Sequence, residues 1–465
     1  MVQRQVTGVR DTKSSTLLTE GVIWKKMIAF AVPIFLGNLF QQLYNTADSL
    51  IVGNFIGSDA LAAVSSSGNL IFLMVGFFNG IAMGAGVVIA RYFGARKTEE
   101  LEKAVHTLVA LGLMAGVVLT LVGMLATPYI LQWMGTPESV LPNSILYFRI
   151  YFAGSLGFVM YNIFVGILQS VGDSRHPLMY LIISSITNIA LDLLFIAVFK
   201  MGVGAAAAAT IISQILSAVL CFVRLIRSKE EYRIQVKKIR FHGNMMRQII
   251  SNGVPAGIQN SIIALANVVV QSNINAFGAA AVAGCGAYAK IEGFGFLPIN
   301  CFAMSLTTFI SQNLGAKQYD RAKKGARFGI ICCITMAEII GILIFVFIPQ
   351  LVGAFDNTPA VIQYGTTQAR TVTLFYFLLA LSHCLAAIFR GAGKSTVPMV
   401  VMLVCWCMIR ITYITIAVQI FPVIRTVFWA YPLTWSLSSV IFMLYFSRAD
   451  WIHAFDRQET KGKMD

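Results

Sequence analysis

The chain has 465 residues, of which 57% are hydrophobic and only 12% charged, and its formal net charge is +15. That balance excludes an ordinary soluble domain, and the eight cysteines, all in or at the edge of apolar runs, form neither a disulfide framework nor a metal-ligand pattern. The basic residues sit in alternate loops, so the charge reflects membrane topology, and neither a nucleic-acid partner nor a cofactor is expected.

Polar breaks divide the chain into twelve apolar segments at 24–53, 60–90, 101–126, 142–171, 176–199, 204–227, 246–275, 280–311, 325–348, 361–389, 396–420 and 426–447. A bilayer crossing takes ~20 helical residues, so these predict an all-α integral membrane protein with twelve transmembrane helices. The first run is too long for a signal-peptide core and is expected to remain as the first span. Arg4, Arg10 and Lys13 precede it, and Arg91, Arg96 and Lys97 follow the second span. The central linker carries Lys237 and Lys238, and Lys317, Arg321, Arg390, Lys394, Arg448 and Lys463 continue on the same side. The excess of positives predicts cytoplasmic termini and linker in a multi-pass protein of the plasma (inner) membrane. The expected organisation is a cytoplasmic segment 1–23, an N-lobe 24–228, a basic linker 229–245, a C-lobe 246–447 and a tail 448–465.

Within span 1, Asn38, Gln41, Asn45 and Asp48 fall in one narrow sector of a helix of about 3.6 residues per turn, with Gln42 and Ser49 at its edge. An ionisable group at membrane depth costs at least ~2.5 kcal/mol on insertion scales, so Asp48 is expected to face a protein interior or a water-filled cavity. In span 5, Asn188 and Asp192 are four apart and share a face, with Ser184 and Ser185 a turn earlier. If both stripes face one interior, two carboxylates meet that repel when ionised, and such a pair can take up a proton on one side of a membrane and release it on the other. Carboxylate, amide and hydroxyl oxygens also suit sodium, and a static hydrogen-bonded pair is the third reading.

The two halves copy one another. Pro33, Asn38 and Asn45 recur as Pro255, Asn260 and Asn267 at an offset of 222. Gly57, Gly94, Ala95, Pro128, Arg149, Gly172, Ser174 and Pro177 recur as Gly278, Gly315, Ala316, Pro349, Arg370, Gly393, Ser395 and Pro398 at 221. Six spans per half make the repeats parallel, with a cavity between two six-helix lobes. The copy fails where it matters: Asp48 corresponds to Val270 and Asp192 to Tyr413, so coupling chemistry is expected in the first lobe. Pro33 and Pro255 are candidates for kinks, and Gly76, Gly80, Gly84 and Gly86 for close helix approach. In the second half Glu292 is expected to neutralise Arg410, whereas Glu338 has no evident partner; Arg149 and Arg370 read as interfacial.

The segment Gln41-Gln42-Leu43-Tyr44-Asn45-Thr46-Ala47-Asp48, the loop Gly94-Ala95-Arg96 and the paired Gly172-Asp173-Ser174-x-x-Pro177 and Gly393-Lys394-Ser395-x-x-Pro398 resemble the MATE multidrug and toxic compound extrusion transporters, over about residues 20–450. The resemblance implies two lobes in a V that export organic compounds in exchange for protons or sodium ions. In the DinF-like branch it places ion coupling at Asp48, at Asn188 with Asp192, and at Thr210, with Asn162 nearby. The NorM-like pattern is not matched: Gln259 and Asn260 stand near the place of its span 7 glutamate, and span 10 has no carboxylate.

The expectation is therefore a secondary active exporter working by alternating access, not an enzyme. Asp48 and Asp192 are the coupling carboxylates, with Asn45, Asn162, Asn188 and Thr210 setting their proton affinity. Asn38, Gln41, Gln42, Gln259, Asn260, Asn267 and Glu292 are candidates for the substrate cavity. The coupling ion is a proton, or sodium at Asp48 and Asp192; the partners are the bilayer and small cationic or amphipathic organic compounds, and the chain is expected to act as a monomer. A lipid-linked oligosaccharide flippase of the same superfamily would need a strongly cationic cavity, and an intramembrane aspartyl enzyme would need a proton-sharing dyad about 3 Å apart.

Overall fold

Apolar segments in a bilayer must satisfy their own backbone hydrogen bonds, and here they do so as helices. The computed structural model describes residues 17–56, 58–133, 138 and 141–461, with side chains except at 49–50, 53–54, 58–73, 75 and 458–461. The sequence readings of Arg4, Arg10, Lys13, Gly57, Lys463 and the Ser49 side chain lie outside the described residues. The first half comprises α1 (Ile23–Phe55), α2 (Ser58–Gly94), α3 (Thr98–Trp133), α4 (Leu141–Ala153), α5 (Ser155–Ser170), α6 (Arg175–Asp192) with a π-helical continuation Leu193–Val198, and α7 (Val203–Arg227). The second comprises α8 (Gly243–Asn275), α9 (Ala279–Gly315), α10 (Tyr319–Gly353), α11 (Pro359–Val372), α12 (Tyr376–Gly391), α13 (Thr396–Met402), a π-helical stretch Leu403–Ile409, α14 (Arg410–Ile420) and α15 (Ile424–Arg448). A short α16 (Ala454–Lys461) follows. Among the described residues eleven helices are long and apolar enough to cross a membrane, or twelve when α4 and α5, bent by 49°, count as one.

The internal repeat is written into the backbone. Arg96 and Lys317 have φ of 53° and 58°, and Gly172 and Gly393 have φ of 84° and 72°; each pair is separated by the repeat offset. Each residue follows a helix end at which the next amide reaches back five positions: Lys97 to Tyr92, Gln318 to Asn313, Asp173 to Leu168 and Lys394 to Phe389. These are left-handed caps that satisfy the last helical carbonyls. Span 4 breaks at Gly154, where a Cβ would lie 2.4 Å from Ile211. Span 10 breaks at the matching place, in the 3-10 turn Thr373–Phe375. Pro33 and Pro255, in contrast, lie inside helices that run through unbroken.

The break in span 10 supplies the partner that Glu338 lacked in sequence. Its Oε1 accepts the backbone N–H of Phe377 at 3.0 Å, capping the first turn of α12 from the neighbouring helix. Glu338→Ala is expected to cost about 1 kcal/mol and Glu338→Gln, which keeps the acceptor, much less. Thermal unfolding in detergent distinguishes them, and equal midpoints for both variants would discount the cap.

The halves meet along a seam in which α2 and α8 form the most extensive helix pairing of the molecule. A Cβ on Gly80 would lie 2.5 Å from the Ala256 carbonyl oxygen and one on Gly84 2.2 Å from that of Asn252, so the two backbones touch. Toward the face that carries both termini the contact becomes reciprocal. Gly94 abuts the Gln312 carbonyl and Gly315 that of Arg91, each at 2.1 Å for the missing Cβ. Helix α1 bridges the halves: Met27, Phe30, Ala31 and Ile34 are buried in the core of the second, whereas Val52 packs with Tyr147 and Phe148 of the first.

The linker belongs to the first half, in whose core Tyr232 and Ile234 are buried. His106 Nδ1 lies 2.7 Å from the Glu102 carbonyl, and its Nε2 accepts the Gln235 N–H at 2.9 Å. His242 Nδ1 lies 3.0 Å from Thr107 Oγ1, and its Nε2 accepts from Arg240 Nε at 3.1 Å. A ring that accepts at one nitrogen must be neutral, so His242 docks the linker only in the uncharged form. Burial, then Arg240, Lys103 and His106, hold the His242 ring below its ordinary range. Because the fold penalises the charged ring, docking is fully present above the ordinary histidine pKa of about 6.5 and weakens as pH falls below it. Hydrogen exchange over residues 229–242, corrected for intrinsic rates, should therefore accelerate at pH 5.5 relative to 7.5; unchanged protection would contradict this.

Candidate functional site

Asp48, on the outer half of α1, meets Asp192, the last residue of α6 before its π-helical turn, carboxyl group to carboxyl group. A π turn widens the helix locally and commonly marks a functional position. Asp192 is fully buried and Asn188, one turn earlier on the same face, is 1% exposed. Asp48 Oδ1, both Asp192 oxygens and both polar atoms of the Asn188 amide have no hydrogen-bond partner among the described residues. Ionised carboxylates are acceptors only, so two in contact form a neutral or singly charged unit only when something positive sits between them. A proton or a small cation between them would relieve that unsatisfied charge.

A tyrosine group encloses the pair. Tyr147 lies within electrostatic range of both carboxylates, its ring stacked on that of Tyr151 at 6.4 Å, and Gln214 of α7 lies beside the hydroxyl groups of Tyr44 and Tyr151. The sequence reading missed these residues, although Tyr44 lies four before Asp48 and Gln214 four after Thr210, the spacing of one helix face. Thr210 itself donates to the Ala206 carbonyl at 3.0 Å, and Asn162 to the Phe158 carbonyl at 2.8 Å. Asn45 is exposed on α1.

Tyr44 connects the pair to a cavity of about 260 Å³ inside the first half, extending to the seam. Asn38, Gln41 and Asn260, expected at a substrate cavity, line it, together with Asn162, expected near the coupling carboxylates, and the unanticipated Asn79, Gln169 and Gln214. Asn38 donates to Cys301 Sγ at 3.1 Å and Asn260 to the Gly76 carbonyl at 3.1 Å, so each amide crosses the seam. No charged side chain lines the cavity among the described residues.

Four expected cavity residues lie elsewhere. Gln42 and Asn267 are exposed, on helices α1 and α8. Gln259 is buried, its amide donating to Met402 Sδ at 2.8 Å and accepting from Arg390 Nη1 at 3.4 Å. Arg390 was counted with the cytoplasmic loops and is in fact buried at the end of α12. Glu292 sits inside the second half, accepting from the hydroxyl groups of Tyr288 at 3.0 Å and Tyr376 at 3.3 Å. It forms no ion pair with Arg410, which donates to Thr434 at 3.0 Å and lies over the Tyr431 ring at 4.6 Å. The two groups stay within electrostatic range but not in contact, since two aromatic hydroxyls bind the carboxylate and two aromatic rings flank the guanidinium.

The MatE family model matches residues 33–194 and 255–416, once in each half. The chain belongs to the MatE family. The MATE resemblance thus holds over both repeats, and the family is one of transporters rather than enzymes. The probable multidrug resistance protein YoeA of Bacillus subtilis is 31% identical over 388 residues, covering 82% of this chain and 83% of that protein. The probable multidrug resistance protein NorM of Thermotoga maritima is 26% identical over 386 residues, covering 82% of each. Among solved structures, an outward-facing multidrug resistance MATE family transporter superposes with a TM-score of 0.87 at 23% identity, covering 96% of this chain and 99% of that one. Membership of this transporter family argues against a protease-like dyad.

Proposed function

We propose that this chain is a secondary active exporter of small organic compounds that exchanges its substrate for protons, or for sodium ions, bound between Asp48 and Asp192. The observation that carries the reading is the unsatisfied carboxyl pair one helical turn beyond a polar cavity. Binding of one ion reduces the pair from two negative charges to one and lets α1 pack on α6; its release leaves two charges that favour separation. Asn188, Thr210, Asn162 and Asn45 are assigned to tuning the ion's affinity.

The substrate is held in the first-half cavity by Asn38, Gln41 and Asn260, which offer hydrogen bonds beside apolar walls. This suits an amphipathic compound, and a cationic one finds its counter-charge only at the carboxyl pair beyond Tyr44. The multidrug resistance relatives support this substrate class. Both termini lie in the cytoplasm and the protein works as a monomer in the plasma membrane. The seam is tightly closed at the face bearing the termini, which supports a state shut on that side.

Proteoliposomes loaded with a fluorescent amphipathic dye test the proposal. A pH gradient alone, or a sodium gradient alone, should drive dye movement against its concentration. Movement independent of both gradients would refute coupling.

A further inference from the structure

The termini exchange grips across the seam. Residues 17–21 precede α1 and touch both halves, Leu17 packing in the core of the first and Leu18 in that of the second. Arg321 of α10 holds this stretch by its carbonyls: Nη1 donates to Gly21 at 2.7 Å, Nη2 to Glu20 and Leu18 at 3.1 Å each, and Nε to Leu18 at 3.3 Å. The Leu18 N–H donates to Gln312 Oε1 at 3.0 Å, and the Gln312 amide in turn donates to the Ser170 carbonyl of α5 at 2.8 Å. Ser170 lines the cavity. On the first-half side, Arg96 pairs with Glu20 at 3.0 Å. The opposite terminus does the converse: Phe455, after α15 of the second half, lies under the Arg91 guanidinium of α2 at 4.4 Å and accepts from it through its carbonyl.

We propose that residues 17–21 are a strap that holds the cytoplasmic side of the transporter shut, with Arg321 as its positioning residue, and that the strap leaves Arg321 whenever the cavity opens to the cytoplasm. Arg321 lies over the Phe309 ring of its own half at 5.6 Å, and the guanidinium donors then turn to the three carbonyls of one short segment. Its bonds fasten to the second half a segment whose Leu17 and Glu20 hold the first, so the segment links the two halves on this face. Backbone carbonyls carry no charge, so the grip is strong enough to close and weak enough to release. The C-terminal helix is the second, reciprocal fastening on the same face.

The proposal rests on the exporter reading for its meaning but is tested without transport. Spin labels on exposed Thr98 and Lys324 report the separation of the halves at this face, since the native cysteines are buried or, at Cys332, half-buried. Arg321→Gln should raise the population at longer distance at least about tenfold over the unsubstituted chain, the scale of losing several charge-assisted hydrogen bonds. Leu17→Ser with Leu18→Ser should act in the same direction. In a second arm, Glu20→Cys and Arg321→Cys joined by a short reducible bis-maleimide should stop dye movement, and reductant should restore it to the level of the unlinked double variant. An unchanged distance distribution in Arg321→Gln, or undiminished transport in the cross-linked protein, overturns the strap. Distances that respond as expected in a protein that moves no dye under any gradient would instead retain the strap and remove the exporter reading.

Discussion

Asp48→Asn and Asp192→Asn should each reduce gradient-driven transport at least about a hundredfold while leaving the protein folded. Asparagine preserves the size of the side chain and can donate to the remaining carboxylate, so the contact between α1 and α6 survives. What it removes is the exchangeable charge. Taking one partner from a buried ionic unit is worth about 3–5 kcal/mol, and each 1.36 kcal/mol is a factor of ten in rate. Because the two carboxylates act as one site, the double variant should be no worse than either single one, in the way residues of a common unit fail to add. Facilitated, gradient-independent exchange should persist in all three, since the cavity lies a turn away. Full uphill transport by the double variant would end the assignment.

Gly84→Leu should be strongly damaging at the seam, costing at least about 3 kcal/mol and lowering the unfolding midpoint by several degrees. Its Cβ alone would sit 2.2 Å from the Asn252 carbonyl, so the α2 and α8 backbones must part before any further atom is placed. Gly286 of α9 is the matched control, with nothing within 4 Å of its missing Cβ. Gly286→Ala should be neutral or stabilising by up to about 1 kcal/mol through helix propensity. Midpoints in detergent for the two variants, read together, separate a contact effect from a general intolerance of substitution in the spans. Equal midpoints would dismiss the backbone contact as a stabilising feature.

The spans and the repeat were legible because both are periodic: apolar runs of bilayer length, and Gly, Pro and Asn recurring at a constant offset. Asp48 and Asp192 could be paired from sequence because each stood alone as a carboxylate at depth and each lay on a polar helical stripe. Gln42 and Asn267 lay on such stripes too, but a stripe does not say how far round the helix the protein interior extends. Glu338 and Arg321 were opaque for a different reason. Both are partnered by backbone groups, and a main-chain N–H or carbonyl leaves no trace in a sequence. The grip on residues 17–21 was invisible on the same grounds, and the failed Glu292–Arg410 pair shows aromatic neighbours displacing a partner that charge alone had suggested.

Gly80 and Gly84 of α2 correspond, at the offset of 221, to Cys301 and Ser305 of α9. The α2–α8 crossing therefore brings main chain against main chain, whereas the matching α1–α9 crossing keeps a thiol and a hydroxyl between the helices, bonded to Asn38 and to the Met27 carbonyl. In mechanical terms one crossing is a rigid bearing and the other has play. The compliant one carries α1, the helix on which Asp48 lies, so the small force from gaining or losing one ion acts where the assembly yields most easily.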